Sequence, residues 1–301
     1  MTTQVERPVL SSSPRAARGA ESAKPANRPR SRFSGPRMLN YALVIGLAGL
    51  YVFPLLYLLN TALKQPAEFV RDPSGLTQGF ALQNFVDAWE KGGFGGLILN
   101  SIVYAFVCST IGTALSLLIA FPVARGYVRG AKVIGILFVL SLFLPNVIIT
   151  QFQLILQLGL YNSRIGYMLL LTSGLGIGPL LIISYLRSLP KELDEAAAMD
   201  GCGYFRYLWT FVVPLCKPVL TTVFILQTIA VWNDIIGATI YLSSPELKTI
   251  SQGLFAFHGQ NGNNEWALLA AATLIVAAPL ILVYLIFQRF FVSGALSGSL
   301  K

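Results

Sequence analysis

The chain has 301 residues, 54% hydrophobic and 12% charged, with 22 Lys plus Arg, 13 Asp plus Glu and a formal net charge of +9. Soluble domains carry about 25% charged residues, so this composition excludes an ordinary soluble domain and indicates an integral membrane protein. Three cysteines (Cys108, Cys202, Cys216) form no CxxC pair and no even set, and His258 is the one histidine, which argues against a disulfide framework or a Cys/His metal centre.

Residues 1–37 hold seven Arg, one Lys, five Pro and six Ser, with almost no large apolar side chain. Such a segment cannot bury enough surface to fold. It reads as a disordered basic cytoplasmic tail beside lipid, not a nucleic-acid arm, and it lacks the cleavage site of a signal peptide. A span needs about 20 apolar residues. Charge-free apolar runs cover 38–63, 97–124, 133–158, 165–186 and 266–288, and a weaker run at 218–242 contains Asp234. The expectation is an all-α integral membrane protein with six transmembrane helices, forming one domain over 38–301. Backbone groups in lipid must be satisfied within helices or a closed barrel, and these runs exceed barrel strands.

Polar residues within spans face a cavity or a neighbouring helix. Asn100 and Ser101 open the second span. Asn146 follows Pro145 in the third, ahead of Thr150, Gln151 and Gln153. Pro145 frees backbone groups that a cavity can solvate. Trp232, Asn233 and Asp234 fall in the fifth span, where a ring face with amide groups suits a sugar. The competing reading of each is interhelical hydrogen bonding or core packing. Asn146, Gln151, Trp232, Asn233 and Asp234 are the candidate substrate-pathway residues. The outer segment 243–265, rich in Gly and Asn, is expected to be exposed, with His258 in a solvated loop.

Between the fourth and fifth spans runs ELDEAAAMDGCGYFRYLWTFVVPLCKP. Pro190 suits a first helical position, Glu192, Asp194 and Glu195 suit the N-terminal dipole, and Ala196, Ala197 and Ala198 favour helix. Gly201 is placed to end it in a left-handed conformation. A helix over about 190–201 is a rod of roughly 16 Å, too short and too acidic to cross a bilayer. Leu193, Ala196, Ala197 and Asp200 share one face by spacing. Acidic charge is unsuited to an anionic lipid surface, so the helix reads as a peg for a cytoplasmic partner. If the N-terminus is inside, seventeen Lys and Arg lie on the cytoplasmic side and five outside, which places both termini and the peg in the cytoplasm.

The stretch resembles the EAA motif of ABC importer permeases: Glu-Ala-Ala, three residues, Gly, nine residues, Ile-x-Leu-Pro. Glu195, Ala196, Ala197, Gly201 and Pro214 match, while Phe211 and Val213 replace Ile and Leu. LYNSRIGYMLL, VWNDIIGATIYLSSPELKTISQGL and QRFFVSGALSGSLK resemble the carbohydrate-uptake branch, on the maltose-permease side with a short C-terminal tail, and the likeness covers roughly 38–301. The resemblance implies a six-span permease subunit of a sugar importer, of the di- or oligosaccharide class, in a bacterial-type cytoplasmic membrane. It implies a second homologous permease, two cytoplasmic ATPase subunits that bind ATP and Mg, and an extracytoplasmic sugar-binding protein. The peg is then the coupling helix, with Glu195, Ala196, Ala197, Asp200, Gly201 and Pro214 as the ATPase-coupling residues, Glu195 pairing with a basic ATPase residue.

No GxxxxGK[ST] phosphate loop occurs, so the energy source is a partner or an ion gradient. No Ser-His-Asp set, HExxH motif or carboxylate pair stands out, and the chain is expected to be a non-enzyme subunit without its own cofactor or metal. An ion-coupled secondary sugar carrier is the alternative. That reading calls for several buried ionisable groups, of which the spans offer Asp234, and it leaves the peg unexplained.

Overall fold

The computed structural model describes residues 35–145, 147–258 and 265–297. Most of the expected N-terminal tail, Asn146 and the Gly/Asn-rich stretch 259–264 lie outside them. All six predicted spans are helical. Helix α1 (Gly35–Ala62) is followed by the short helices α2 (Pro66–Arg71) and α3 (Gln83–Gly92), then by the long α4 (Phe94–Arg125). The third span is two helices, α5 (Ala131–Ser141) and α6 (Ile148–Gln157). The chain leaves the helix just before Pro145, which lacks an N–H and disfavours helix in the residue ahead of it. The fourth span is α7 (Arg164–Ser173) and α8 (Gly178–Ser188), bent by 45° at the glycine-rich join.

The peg is α9 (Glu192–Met199). Then come α10 (Tyr204–Tyr207), a π-helical turn (Leu208–Val212), α11 (Val213–Leu215) and α12 (Lys217–Trp232), with an 80° bend ahead of α12. A proline inside an α-helix clashes with the carbonyl four residues back. The widened turn, in which the Val213 N–H donates to the Leu208 carbonyl, leads directly into Pro214. The fifth span also departs from the expected continuous run. It breaks at Asn233–Asp234 and resumes as α13 (Ile235–Tyr241). Helix α14 (Trp266–Ser297) forms the sixth span. Among the described residues, α1, α4 and α14 are each long and apolar enough to cross a membrane unbroken.

Helix α4 packs against α12, α8 and α7, and it threads two apolar cores. One gathers Phe94, Tyr104, Tyr167, Trp232 and Phe257. The other gathers Phe121, Leu186, Tyr207, Leu208 and Val223. Small residues permit the close packing: a Cβ on Gly178 would stand 2.9 Å from Ser116 Oγ and 3.0 Å from a Val223 methyl.

The outer segment is not the exposed loop expected. Two 3-10 turns, Pro245–Leu247 and Ile250–Phe257, return into the first core, and Thr249, Ile250, Ser251, Gln252 and Phe257 are buried. The returning segment is pinned by α4. Asn100 Nδ2 donates to the carbonyls of Glu246 (2.8 Å) and Lys248 (3.0 Å), and Ser101 Oγ accepts the Ile250 N–H at 2.7 Å. Arg164 adds a bond to Asn100 Oδ1 at 3.0 Å. These two α4 side chains satisfy buried backbone, and sequence spacing alone does not show it.

Candidate functional site

The candidate groups gather in two regions, the peg α9 and a cavity between the spans. The peg is ended by local rules. Gly201 takes φ +67°, the Cys202 N–H donates to the Ala197 carbonyl (2.9 Å) and the Gly201 N–H to the Ala198 carbonyl (3.1 Å). That pattern closes a helix and satisfies its last carbonyls. Only Ala197 of the peg is buried, and Asp194 is partly so. Glu192, Leu193, Glu195, Ala196, Met199 and Asp200 are exposed, Met199 at 89%. The inward face is therefore Asp194–Ala197, three residues apart. Leu193, Ala196 and Asp200, expected to share a face with Ala197, point outward instead.

Asp194 holds the peg to the membrane helices. Its Oδ2 lies 2.8 Å from Arg125 Nε at the end of α4, and the two side chains are 13% and 3% exposed. Its Oδ1 accepts a short hydrogen bond from the Tyr207 hydroxyl. Arg125 also donates from Nη1 to the Leu189 carbonyl at 3.1 Å, in the turn entering the peg. One carboxylate thus joins three segments: the second span, the peg and the helix leading to the fifth span. From sequence, Asp194 reads as a dipole-favoured acid and Arg125 as an orienting charge. Their pairing spans 69 positions and carries no local signal. The exposed Glu195 beside it is free to face a partner.

The second region is a cavity of about 480 Å³ between α4, α6, α7, α12 and α13, lined in part by Gln151, Tyr167, Gln227, Asn233, Asp234 and Tyr241. Asp234 caps α13, its Oδ1 accepting the Gly237 N–H at 2.9 Å while Oδ2 accepts the Tyr167 hydroxyl at 2.9 Å. Asp favours this capping role over a helix interior, which is why the fifth span breaks here. Gly237 is required by closeness, since a Cβ there would stand 2.4 Å from Asp234 Oδ2. The Tyr241 hydroxyl donates to the Ile148 carbonyl at 3.1 Å, tying α13 to α6. Gln227 Oε1 is buried without a hydrogen-bond partner. A polar ligand in the cavity offers such an acceptor a donor.

Of the predicted pathway residues, Gln151, Asn233 and Asp234 meet at this cavity. Trp232 does not line it. The indole is 5% exposed and Nε1 donates to the Val276 carbonyl of α14 at 3.1 Å, so it serves helix packing. Thr150 and Gln153 lie on the exposed side of α6. Asn146 lies outside the described residues. Tyr167, Gln227 and Tyr241 are polar cavity residues that sequence reading missed. A tyrosine and a glutamine in apolar helices carry no sign of which way they turn.

The family model described as binding-protein-dependent transport system inner membrane component matches residues 112–295. A probable ABC transporter permease, YurM of Bacillus subtilis, is 31% identical over 83% of this chain and 83% of its own. The melibiose/raffinose/stachyose import permease MelC of the same organism is 27% identical, over 83% of this chain and 92% of its own. Among solved structures, a chain from the crystal structure of a bacterial ABC transporter that imports the acidic polysaccharide alginate superposes with a TM-score of 0.72. It is 22% identical and covers 87% of this chain and 98% of that one.

Proposed function

The chain belongs to the family of inner membrane components of binding-protein-dependent transport systems, and we propose that it forms half of the translocation pathway of an ATP-driven sugar importer, for substrates of the di- or oligosaccharide class. The sugar class is supported by the relatives' names and by the stretches LYNSRIGYMLL, VWNDIIGATIYLSSPELKTISQGL and QRFFVSGALSGSLK, which resemble the carbohydrate-uptake branch. In this reading a second homologous permease completes the pathway. Two cytoplasmic ATPase subunits bind ATP and Mg, an extracytoplasmic protein delivers the sugar, and this chain itself carries no reaction. Both termini lie in the cytoplasm, the basic segment 1–37 is a tail, and 38–301 is the permease domain.

The observation that carries this reading is the geometry of α9. It is a short acidic helix, terminated by Gly201 and held by one partly buried carboxylate, with Glu195 and Met199 turned outward. A rigid peg joined to spans passes on rigid-body motion. Closure of the ATPases on ATP moves α9, and through Arg125 and Tyr207 it moves the second and fifth spans, turning the pathway outward. Hydrolysis resets it. Glu195, Ala196, Ala197, Asp200, Gly201 and Pro214 form or position the coupling element. Gln151, Asn233 and Asp234 line the passage with hydroxyl-matching groups, and Trp232 packs on the helix that leads to it. Both oxygens of Asp234 are engaged locally, which supports a capping and lining role over ion coupling.

The test is co-purification of the tagged chain in mild detergent. An ATPase and a second six-span protein are expected with it. Glu195→Lys should lower the retained ATPase at least about tenfold, because like charges juxtaposed at an interface cost several kcal/mol, while the chain still inserts. A stable homo-oligomer without ATPase would instead point to the secondary carrier.

A further inference from the structure

A second, smaller cavity lies beside the base of the peg and shares Arg125 with the clamp described above. It has a volume of about 380 Å³ and is formed by the end of α4, the turn after it, the start of α5, the end of α8 and the residue ahead of α9. Four cations line it: Arg125, Lys132, Arg187 and Lys191. Arg125 is neutralised by Asp194. Among the described residues, Lys132, Arg187 and Lys191 have no carboxylate within 4 Å. Like charges around one cavity repel, and an anion between them replaces that repulsion with attraction.

Arg187 alone needs no ligand, because it sits in the last turn of α8, where a cation suits the helix dipole. Lys132 has no such account. It lies in the first turn of α5, which contains no acid, and there the dipole disfavours a cation. The same turn presents N–H groups without intrahelical acceptors. An anion at this point is met by amide donors and by Lys132 together.

The cavity is larger than an inorganic ion needs, since a water occupies about 30 Å³ of liquid volume. What lies deeper on the same helix narrows the choice. Further along α5 and at its end, Ile134, Leu137, Phe138 and Leu142 line an apolar groove of about 600 Å³, closed on the other side by Leu175. Ala131, which lines the cationic cavity, shares one face of α5 with Ile134 and Phe138 of the groove by i, i+3, i+7 spacing, and Phe138 lies a rise of roughly 10 Å further along. A cationic pocket followed by an apolar groove matches a phosphate headgroup followed by an acyl chain.

We propose that the cavity framed by Lys132, Arg187 and Lys191 binds the phosphate of one anionic phospholipid, with an acyl chain lying in the groove along α5. The lipid bridges the second, third and fourth spans and braces Lys191, the residue from which the coupling helix starts.

The test uses the complete transporter in mild detergent, with retained lipid measured by native mass spectrometry after adding phosphatidylglycerol or phosphatidylcholine. Saturable retention of phosphatidylglycerol in excess over phosphatidylcholine is expected, unchanged by millimolar inorganic phosphate. The combined variant Lys132→Gln, Arg187→Gln, Lys191→Gln should bind it about a hundredfold more weakly, as expected for three lost cations near an anionic headgroup. Arg206→Gln with Lys217→Gln, both exposed and outside the cavity, should leave retention unchanged. Leu137→Trp, which fills the groove and keeps every charge, should weaken binding as well, so the proposal does not depend on the triple variant assembling. Equal retention of the two lipids by the wild type overturns it. Displacement by inorganic phosphate assigns the cavity to a soluble anion and also overturns it. Unchanged lipid with loss of the ATPase in the triple variant assigns the cations to an acidic edge of that partner, with the same consequence.

Discussion

Replacing Asp194 by Ala strands Arg125, whose side chain is 3% exposed. Removing one partner of a buried ion pair costs about 3–5 kcal/mol, because the remaining charge has lost its compensation. The bond from the Tyr207 hydroxyl is lost as well. Little else holds α9 down, since Ala197 is its one buried residue and it has only eight residues. Isolated helices shorter than about 12–15 residues are marginal in water. At roughly 1.4 kcal/mol per factor of ten, the loss is enough to shift the peg from docked to detached for most of the time. The assay is transport and ATPase activity in reconstituted complexes, with retention of the ATPase on the tagged chain as the structural readout. Asp194→Ala should keep ATP hydrolysis in the ATPase fraction but abolish its link to uptake. The discriminating variant is Arg125→Met with Asp194→Leu. Replacing a buried pair by apolar residues is close to neutral, so the double variant should recover most of the retained ATPase and of the heat stability. Equal uptake by Asp194→Ala and wild type, or a double variant as impaired as the single one, would refute the clamp.

Gly201→Ala meets no atom within 4 Å, so its effect is backbone strain at φ +67°, about 1–2 kcal/mol, seen as faster proteolysis after α9 with the spans intact. Gly237→Ala forces Asp234 out of its cap and should lower the melting temperature of the complex, a lost N-cap being worth about 0.5–2 kcal/mol. Asp234→Asn keeps a capping side chain and should retain much of the uptake at every pH. Complete loss of uptake in that variant, joined to pH-dependent uptake by the wild type, would favour an ion-coupled carrier.

Sequence alone established what depends on short range and on solvent. Helical spans follow from apolar runs that leave backbone groups no partner but their own. The Lys and Arg bias carries the proposed orientation. The peg was readable because its signals are local: Pro190 ahead of it, acids in its first turn, alanines within, Gly201 at its end. The motif around Glu195 pointed to the family for the same reason, being contiguous.

Tertiary structure alone decided which polar groups meet. Asp194 and Glu195 are neighbours in the chain, yet one turns in to Arg125 and the other out to solvent. Trp232 and Asp234 are two residues apart, yet one bonds α14 and the other caps α13 beside the cavity. Asn100 and Ser101, equally plausible as pathway residues, instead satisfy backbone of a returning outer segment about 150 positions away. In a medium without water, a polar side chain is directed by whichever unsatisfied group packing brings within reach. Hydropathy marks where such a residue lies along a span, and only the packed helices determine its partner.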